Sequence, residues 1–157
     1  ALGSSGDDAA ALEAFERSIE IEPRAPQTWQ AYATALGNLG RFDEAAAAWR
    51  RCVELAPGEV GVLWLRLGQA ELRAGRTIPA HEALERAAET LTGRPELDAA
   101  RAEAMLRLAS VRLGQGEPTV ALALVRRADA IGQLAPGLLL RAGGIAWQAG
   151  DEATGRV

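Results

Sequence analysis

At an offset of 34 residues, the distance from Pro23 to Pro57, the start of this chain matches a later stretch without a gap. Residues 1–23, ALGSSGDDAAALEAFERSIEIEP, fall on residues 35–57, ALGNLGRFDEAAAAWRRCVELAP. Ala11 lands on Ala45, Phe15 on Trp49, Ser18 on Cys52 and Pro23 on Pro57. Such a period means that one short supersecondary unit recurs and that each unit buries its apolar face against its neighbours. The unit is helical. Apolar residues make up 48% of the chain and aromatics only 4%, so the apolar content is largely Ala and Leu, the strongest helix formers. Val, Ile and Thr are sparse, which leaves little from which to build strands.

Later units continue the register. The second supplies Trp29, Tyr32, Ala33 and Leu36, then Gly40, then Ala45, Trp49, Cys52 and Pro57. The third supplies Trp64, Leu67, Gly68, Gly75, Ala80, Leu84 and Ala87; the fourth supplies Met105, Leu108, Ala109, Gly116, Ala121, Val125 and Ala128. Leu139, Ala142, Gly143, Ala146 and Gly150 open a fifth. In this register the chain resembles the tetratricopeptide-repeat (TPR) family, whose pattern runs Trp, Leu, Gly, Tyr down a first helix and Ala, Phe, Ala, Pro down a second. The resemblance covers essentially the whole chain. It implies an all-α, right-handed superhelical solenoid of antiparallel helix-turn-helix hairpins. The expected divisions are a partial repeat over 1–24, repeats over 25–58 and 59–94, a repeat over 95–134 with a preceding insertion, and a partial repeat over 135–157. First helices are expected at roughly 26–39, 60–74, 96–114 and 136–149, and second helices at roughly 8–21, 43–55, 78–91 and 118–131.

Each slot has a physical reason. Ala33, Gly68, Ala109 and Gly143 are small, so two antiparallel helices can approach closely. Gly40, Gly75, Gly116 and Gly150 stand where a first helix should end, since glycine takes the left-handed conformation that closes a helix at least cost. Pro23 and Pro57 follow second helices they cannot continue, while Pro79 and Pro118 fall near first turns, where a missing N–H does no harm. Two departures stand out. Trp64 and Met105 are 41 residues apart, and the extra segment around Thr92-Gly93-Arg94-Pro95 is expected to lengthen a helix. The Tyr slot is held by Glu71 and then Arg112, a combination that suggests ion pairing between adjacent hairpins. Ala1 aligns with Ala35, well inside a first helix, so the expectation is an interior piece of a longer, bacterial-type TPR protein. Its uncapped ends are then expected to associate end to end with a neighbouring copy.

Little in the composition points to chemistry. A net charge of −4 argues against a nucleic-acid partner, which needs a basic face. Every basic side chain is Arg, a bias typical of GC-rich bacterial genomes. No apolar run is long enough for direct membrane insertion, and the compartment, cytoplasmic or periplasmic, stays open. His81 has neither a second His nor a Cys nearby and is expected on the solvated surface. Cys52 takes a small-residue slot, where a free thiol acts as a small buried hydrophobe. Gly114-Gln115-Gly116 follows a helix rather than a strand and so lacks the context of a phosphate loop. Asp7-Asp8 and Asp43-Glu44 start second helices, where acidic side chains suit the helix dipole. No catalytic residue, metal site or cofactor is expected, and the chain is not read as an enzyme.

The resemblance does imply a binding groove. In the family, first helices line a concave surface that receives a peptide or a helix. The matching positions here are Gln30, Thr34, Gly37 and Asn38; Leu65, Gln69, Leu72 and Arg73; Leu106, Ser110, Leu113 and Gly114; and Leu140, Gly144, Trp147 and Gln148. With no Lys and with Asn38 as the sole Asn among these positions, a terminal-carboxylate clamp is disfavoured. Leu65 with Leu72, Leu106 with Leu113, and Leu140 with Trp147 are each seven residues apart, so each pair shares a helix face. Together they form either an apolar ladder in the groove or part of the core. The first reading leaves Leu65, Leu106 and Leu140 partly exposed. The function expected is a scaffold that holds a partner protein, as a helix or an extended peptide. Two alternatives are a regulatory or substrate-recruiting region of a larger enzyme, of glycosyltransferase or sulfotransferase type, and a periplasmic scaffold of a polysaccharide-export or pilus machine.

Overall fold

Glycine and proline set the element boundaries as their backbone chemistry requires. The computed structural model describes residues 4–56, 60–132 and 134–154, and among them are helices and turns but no strand. Pro57, expected to follow a second helix, lies outside the described residues. The helices are α1 (Ser4–Ile21), α2 (Pro26–Asn38), α3 (Phe42–Leu55), α4 (Val60–Arg73), α5 (Thr77–Thr90), α6 (Asp98–Gly114), α7 (Pro118–Asp129) and α8 (Pro136–Thr154). Gly40, Gly75 and Gly116 take φ of 77°, 75° and 76°. In each case the next residue's N–H reaches back to the carbonyl five positions earlier: Arg41 to Leu36 at 2.9 Å, Arg76 to Glu71 at 2.9 Å and Glu117 to Arg112 at 3.0 Å. Three successive Schellman closures of this kind reverse the chain within three residues.

The chain divides into two units, Ala1–Ala80 and His81–Val157. In the first, α1 packs on α2, α2 on α3 and α3 on α4. The small slots Ala33 and Gly68 are buried as their role demands. Trp49 of α3 is only 9% exposed, and Leu36, Ala45, Cys52 and Leu63 are buried in the same unit. Glu71, in the Tyr slot, is 0% exposed. Its two carboxylate oxygens accept from different arginines, Arg50 of α3 on one and Arg76 Nε at 2.6 Å on the other. Arg76 also reaches Asp43 at the start of α3. The expected pairing through this slot is therefore made by Glu71 with arginines of its own unit, and it ties α3 to the end of α4.

In the second unit, α6 packs on both α7 and α8, and α7 packs on α8. The extra residues before it form a short 3-10 turn, Pro95–Leu97, and a longer helix: α6 has 17 residues, where α2 has 13 and α4 has 14. Arg112, also in the Tyr slot, pairs with Glu117 at 2.9 Å and Glu85 at 3.2 Å.

Two expectations need correction in α8. Gly150 does not end the helix, which runs on to Thr154. At Gly40 and Gly116 the following helix packs back on the one before it, whereas within the described residues Gly150 has no such following helix, and a helical φ costs glycine little sterically. For the same reason Gly143 is exposed, with nothing within 4 Å of the place a Cβ would take. His81 is not a solvated surface residue either, its side chain being 18% exposed. It lies one turn before Leu84 and Glu85, on the edge of the buried stripe formed by Ala80, Ala83, Leu84 and Ala87.

Candidate functional site

On α2, Gln30, Thr34 and Asn38 are four residues apart, so helical geometry stacks them on one face at about 6 Å intervals. On α4, Arg66, Gln69 and Arg73 follow the i, i+3, i+7 spacing and likewise share a face. With α3 packed against both helices, these two faces border recesses floored by Trp49. The larger, about 690 Å³, is lined by Gln30, Thr34, Asn38, Phe15, Trp49 and Arg66 among others. An adjoining one of about 280 Å³ adds Gly37, Phe42, Gln69 and Arg73. Among the described residues neither lining contains a carboxylate.

The side chains in the recess are held in place. The guanidinium of Arg73 sits 4.5 Å above the centre of the Phe42 ring, a cation–π contact that positions it while leaving its N–H edge available. Arg66 Nη1 donates to Gln69 Oε1 at 3.2 Å, and Thr34 Oγ1 donates to the Gln30 carbonyl at 2.8 Å. At the edge of the unit the Tyr32 hydroxyl donates to Glu16 Oε1 at 2.9 Å. Burial and that bond push its ionisation up, so Tyr32 is a fixed neutral donor.

Of the residues anticipated for the groove, Gln30, Thr34, Asn38, Gln69 and Arg73 border these recesses. The leucine ladder does not form as an exposed stripe. Leu65 is 2% exposed, Leu106 is 0% exposed, and Leu113 is also buried. One helical step is 100°, and Leu65 lies one step from Arg66, which is the residue that lines the recess. The anticipated recess position at Leu65 was therefore one residue early, whereas Gln69 and Arg73 on the same helix do line the recess. Leu106 is enclosed because α6 is packed by α7 and α8 at once, and its buried positions run from Ala104 through Met105 and Leu106 to Leu108 and Ala109. A helix buried on several sides leaves no apolar face for a groove. Leu72 and Ser110 are half-buried, and Ser110 Oγ donates to the Leu106 carbonyl at 3.1 Å. Leu140 and Trp147 do stand out, 80% and 74% exposed, with Gly144 between them on the same face of α8.

Arg66 is the lining residue that the sequence reading passed over. The seven-residue spacing applied to the leucines would have found it, since Arg66 and Arg73 have the same separation. Cys52 is fully buried, and desolvation pushes its thiol up to about 11, so it is protonated near neutrality and cannot serve as a nucleophile there. Among the described residues no three His, Cys, Asp or Glu side chains gather as a metal site, and no helix is long and apolar enough to cross a membrane.

Residues 26–63 match the family model described as tetratricopeptide repeat. Over 86 residues, 55% of this chain, the sequence is 31% identical to the small glutamine-rich tetratricopeptide repeat-containing protein 2 of Mycosarcoma maydis, and the match takes in 24% of that protein's length. The chain therefore spans about a quarter of this curated relative. Among solved structures, MamA (41-end) from Desulfovibrio magneticus RS-1 superposes with a TM-score of 0.72 at 17% identity, covering 96% of this chain and 84% of that one. A thermophilic TPR protein of Thermus thermophilus gives a TM-score of 0.64 at 20% identity, covering 89% and 73%. At these identities the likeness is one of fold.

Proposed function

We propose that this chain, which belongs to the tetratricopeptide-repeat family, holds a segment of a partner protein in the recess between α2 and α4 of its first unit. Proteins built of these repeats are scaffolds for protein partners, and they are generally not enzymes. One observation carries the assignment to this face: Gln30, Thr34 and Asn38 from α2 and Arg66, Gln69 and Arg73 from α4 border adjoining recesses that share Trp49 as their floor. Polar groups placed around an apolar floor are the usual make-up of a recognition site. The exposed Leu140 and Trp147 of α8 supply a second apolar surface, of the kind that marks contact sites on soluble proteins.

The reading is tested by site-specific photocrosslinking with the protein expressed in its own cells. A benzophenone side chain at Gln30 or Asn38 should give a discrete protein adduct. The same group at Arg51, exposed on α3 and paired with Glu54 at 2.6 Å, should not. Adducts of equal yield at all three positions, or at none, would overturn the assignment.

A further inference from the structure

The second unit holds a recess of its own, about 350 Å³ in volume, between α5 and α7 with α6 beneath. Glu85 and Glu89 stand one turn apart on the α5 wall, and Val120, Leu124 and Arg127 stand on the α7 wall at i, i+4 and i+7. These spacings keep side chains on one face of a helix, and they are the positions a further helix meets when it lies alongside. The Gly116 closure reverses α6 into α7. Arg112, near the end of α6, pairs with both Glu85 and Glu117, the residue just before α7. The chain then returns from the end of α5 to the start of α6 within a short turn. The two walls therefore run side by side in one direction, as the neighbours of a helix in a bundle do.

Charge is matched at one end of this recess and not at the other. Arg112 meets Glu85 at 3.2 Å and Glu117 at 2.9 Å, so the charges at its end answer one another. Further along, Glu89 and Arg127 are exposed and line the same recess from opposite walls. Among the described residues neither takes an ion-pair partner. Between the walls, Leu108 and Leu124 form an apolar base, and Val120 is an exposed large hydrophobic on the rim. An acid on one side, a base on the other and an apolar strip between them complement a helix with an apolar seam and oppositely charged flanks. From Val120 to Arg127 the strip is about 10 Å long, two turns of such a helix. With Val120, Glu89 and Arg127 all at the surface, the recess is open along its length. A small molecule would not be enclosed there as its sites require.

We propose that this recess is a docking site for an amphipathic helix of a protein partner. Apolar residues three or four positions apart lie along Val120 and Leu124, with a Lys or Arg beside Glu89 and an Asp or Glu beside Arg127. The site shares no residue with the recess between α2 and α4, so it stands independently of the reading above.

Three 14-residue helical peptides test it, each stapled on the outer face because isolated helices of this length are marginal. All carry Leu along one seam. One has Lys on one flank and Glu on the other, one has Lys on both flanks, and one has Glu on both. In fluorescence anisotropy at 0.15 M salt, the mixed peptide should bind the purified chain about tenfold more tightly than either uniform peptide. Glu89→Arg should move the preference to the all-Glu peptide, and Arg127→Glu should move it to the all-Lys peptide. Val120→Asp should abolish binding of all three. The three substituted residues are exposed, so circular dichroism should show every variant folded. No binding of the mixed peptide, or a preference that stays in place when either charge is reversed, would overturn the proposal. Dimerisation of the chain alone that Val120→Asp abolishes would overturn it as well, giving the recess to a second copy.

Discussion

Replacing Arg50 and Arg76 together with methionine would leave the Glu71 carboxylate buried with neither of its partners. The reverse change, Glu71→Leu, would leave two arginines whose side chains are already 46% and 33% exposed. These perturbations look symmetrical on paper but should differ widely in cost. An arginine that loses its partner here can turn toward water, and Arg76 keeps Asp43. A leucine in place of the glutamate also removes the cost of burying a charge, so Glu71→Leu should change stability by no more than about 1 kcal/mol. In the double methionine variant the carboxylate has no route to solvent, and breaking a buried pair from one side costs about 3–5 kcal/mol. Urea unfolding followed by circular dichroism resolves these values, since 3–4 kcal/mol at a slope of about 2 kcal/mol per molar moves the midpoint by about 1.5–2 M. Equal losses in the two variants at pH 7 would refute the reasoning.

Three further outcomes follow from the burial pattern. Trp49→Ala should cost about 3–5 kcal/mol, measured by thermal or urea unfolding, because its indole forms the floor on which α3 meets α2 and α4. Leu106→Asp should lower stability by more than about 3 kcal/mol, whereas Leu140→Asp on the exposed face of α8 should stay within about 0.5 kcal/mol; comparable losses at both sites would contradict the assignment of α6 to the core. The Cys52 thiol should react with Ellman's reagent at least about a hundredfold more slowly in the native chain than in urea. Because burial raises its ionisation from 9.0 to about 11, the folded chain holds that proton more tightly than the unfolded one. Its contribution is therefore intact below pH 9 and is lost as the pH climbs from 9 toward 11, a decline that Cys52→Ala should abolish.

The sequence by itself determined the helical class, the 34-residue period and nearly every element boundary. These are local matters. Glycine at 40, 75 and 116 and proline at 118 act through their own backbone torsions, so their effect is legible without knowing what lies nearby. The small slots at Ala33, Gly68 and Ala109 were also legible, because the spacing of close-packed helices repeats with the sequence. Tertiary structure decided which side of each helix would be wet. Leu65 and Arg66 are adjacent in sequence and 100° apart around α4, and only the packing of neighbouring elements sends one to the core and the other to the recess. The enclosure of Leu106 and the exposure of Leu140 make the same point. Both occupy one slot of the repeat, but α6 is covered by two helices, while α8 keeps a bare face. Burial is a property of what surrounds a residue, and a repeating pattern assigns every repeat the same surroundings even where the fold does not supply them.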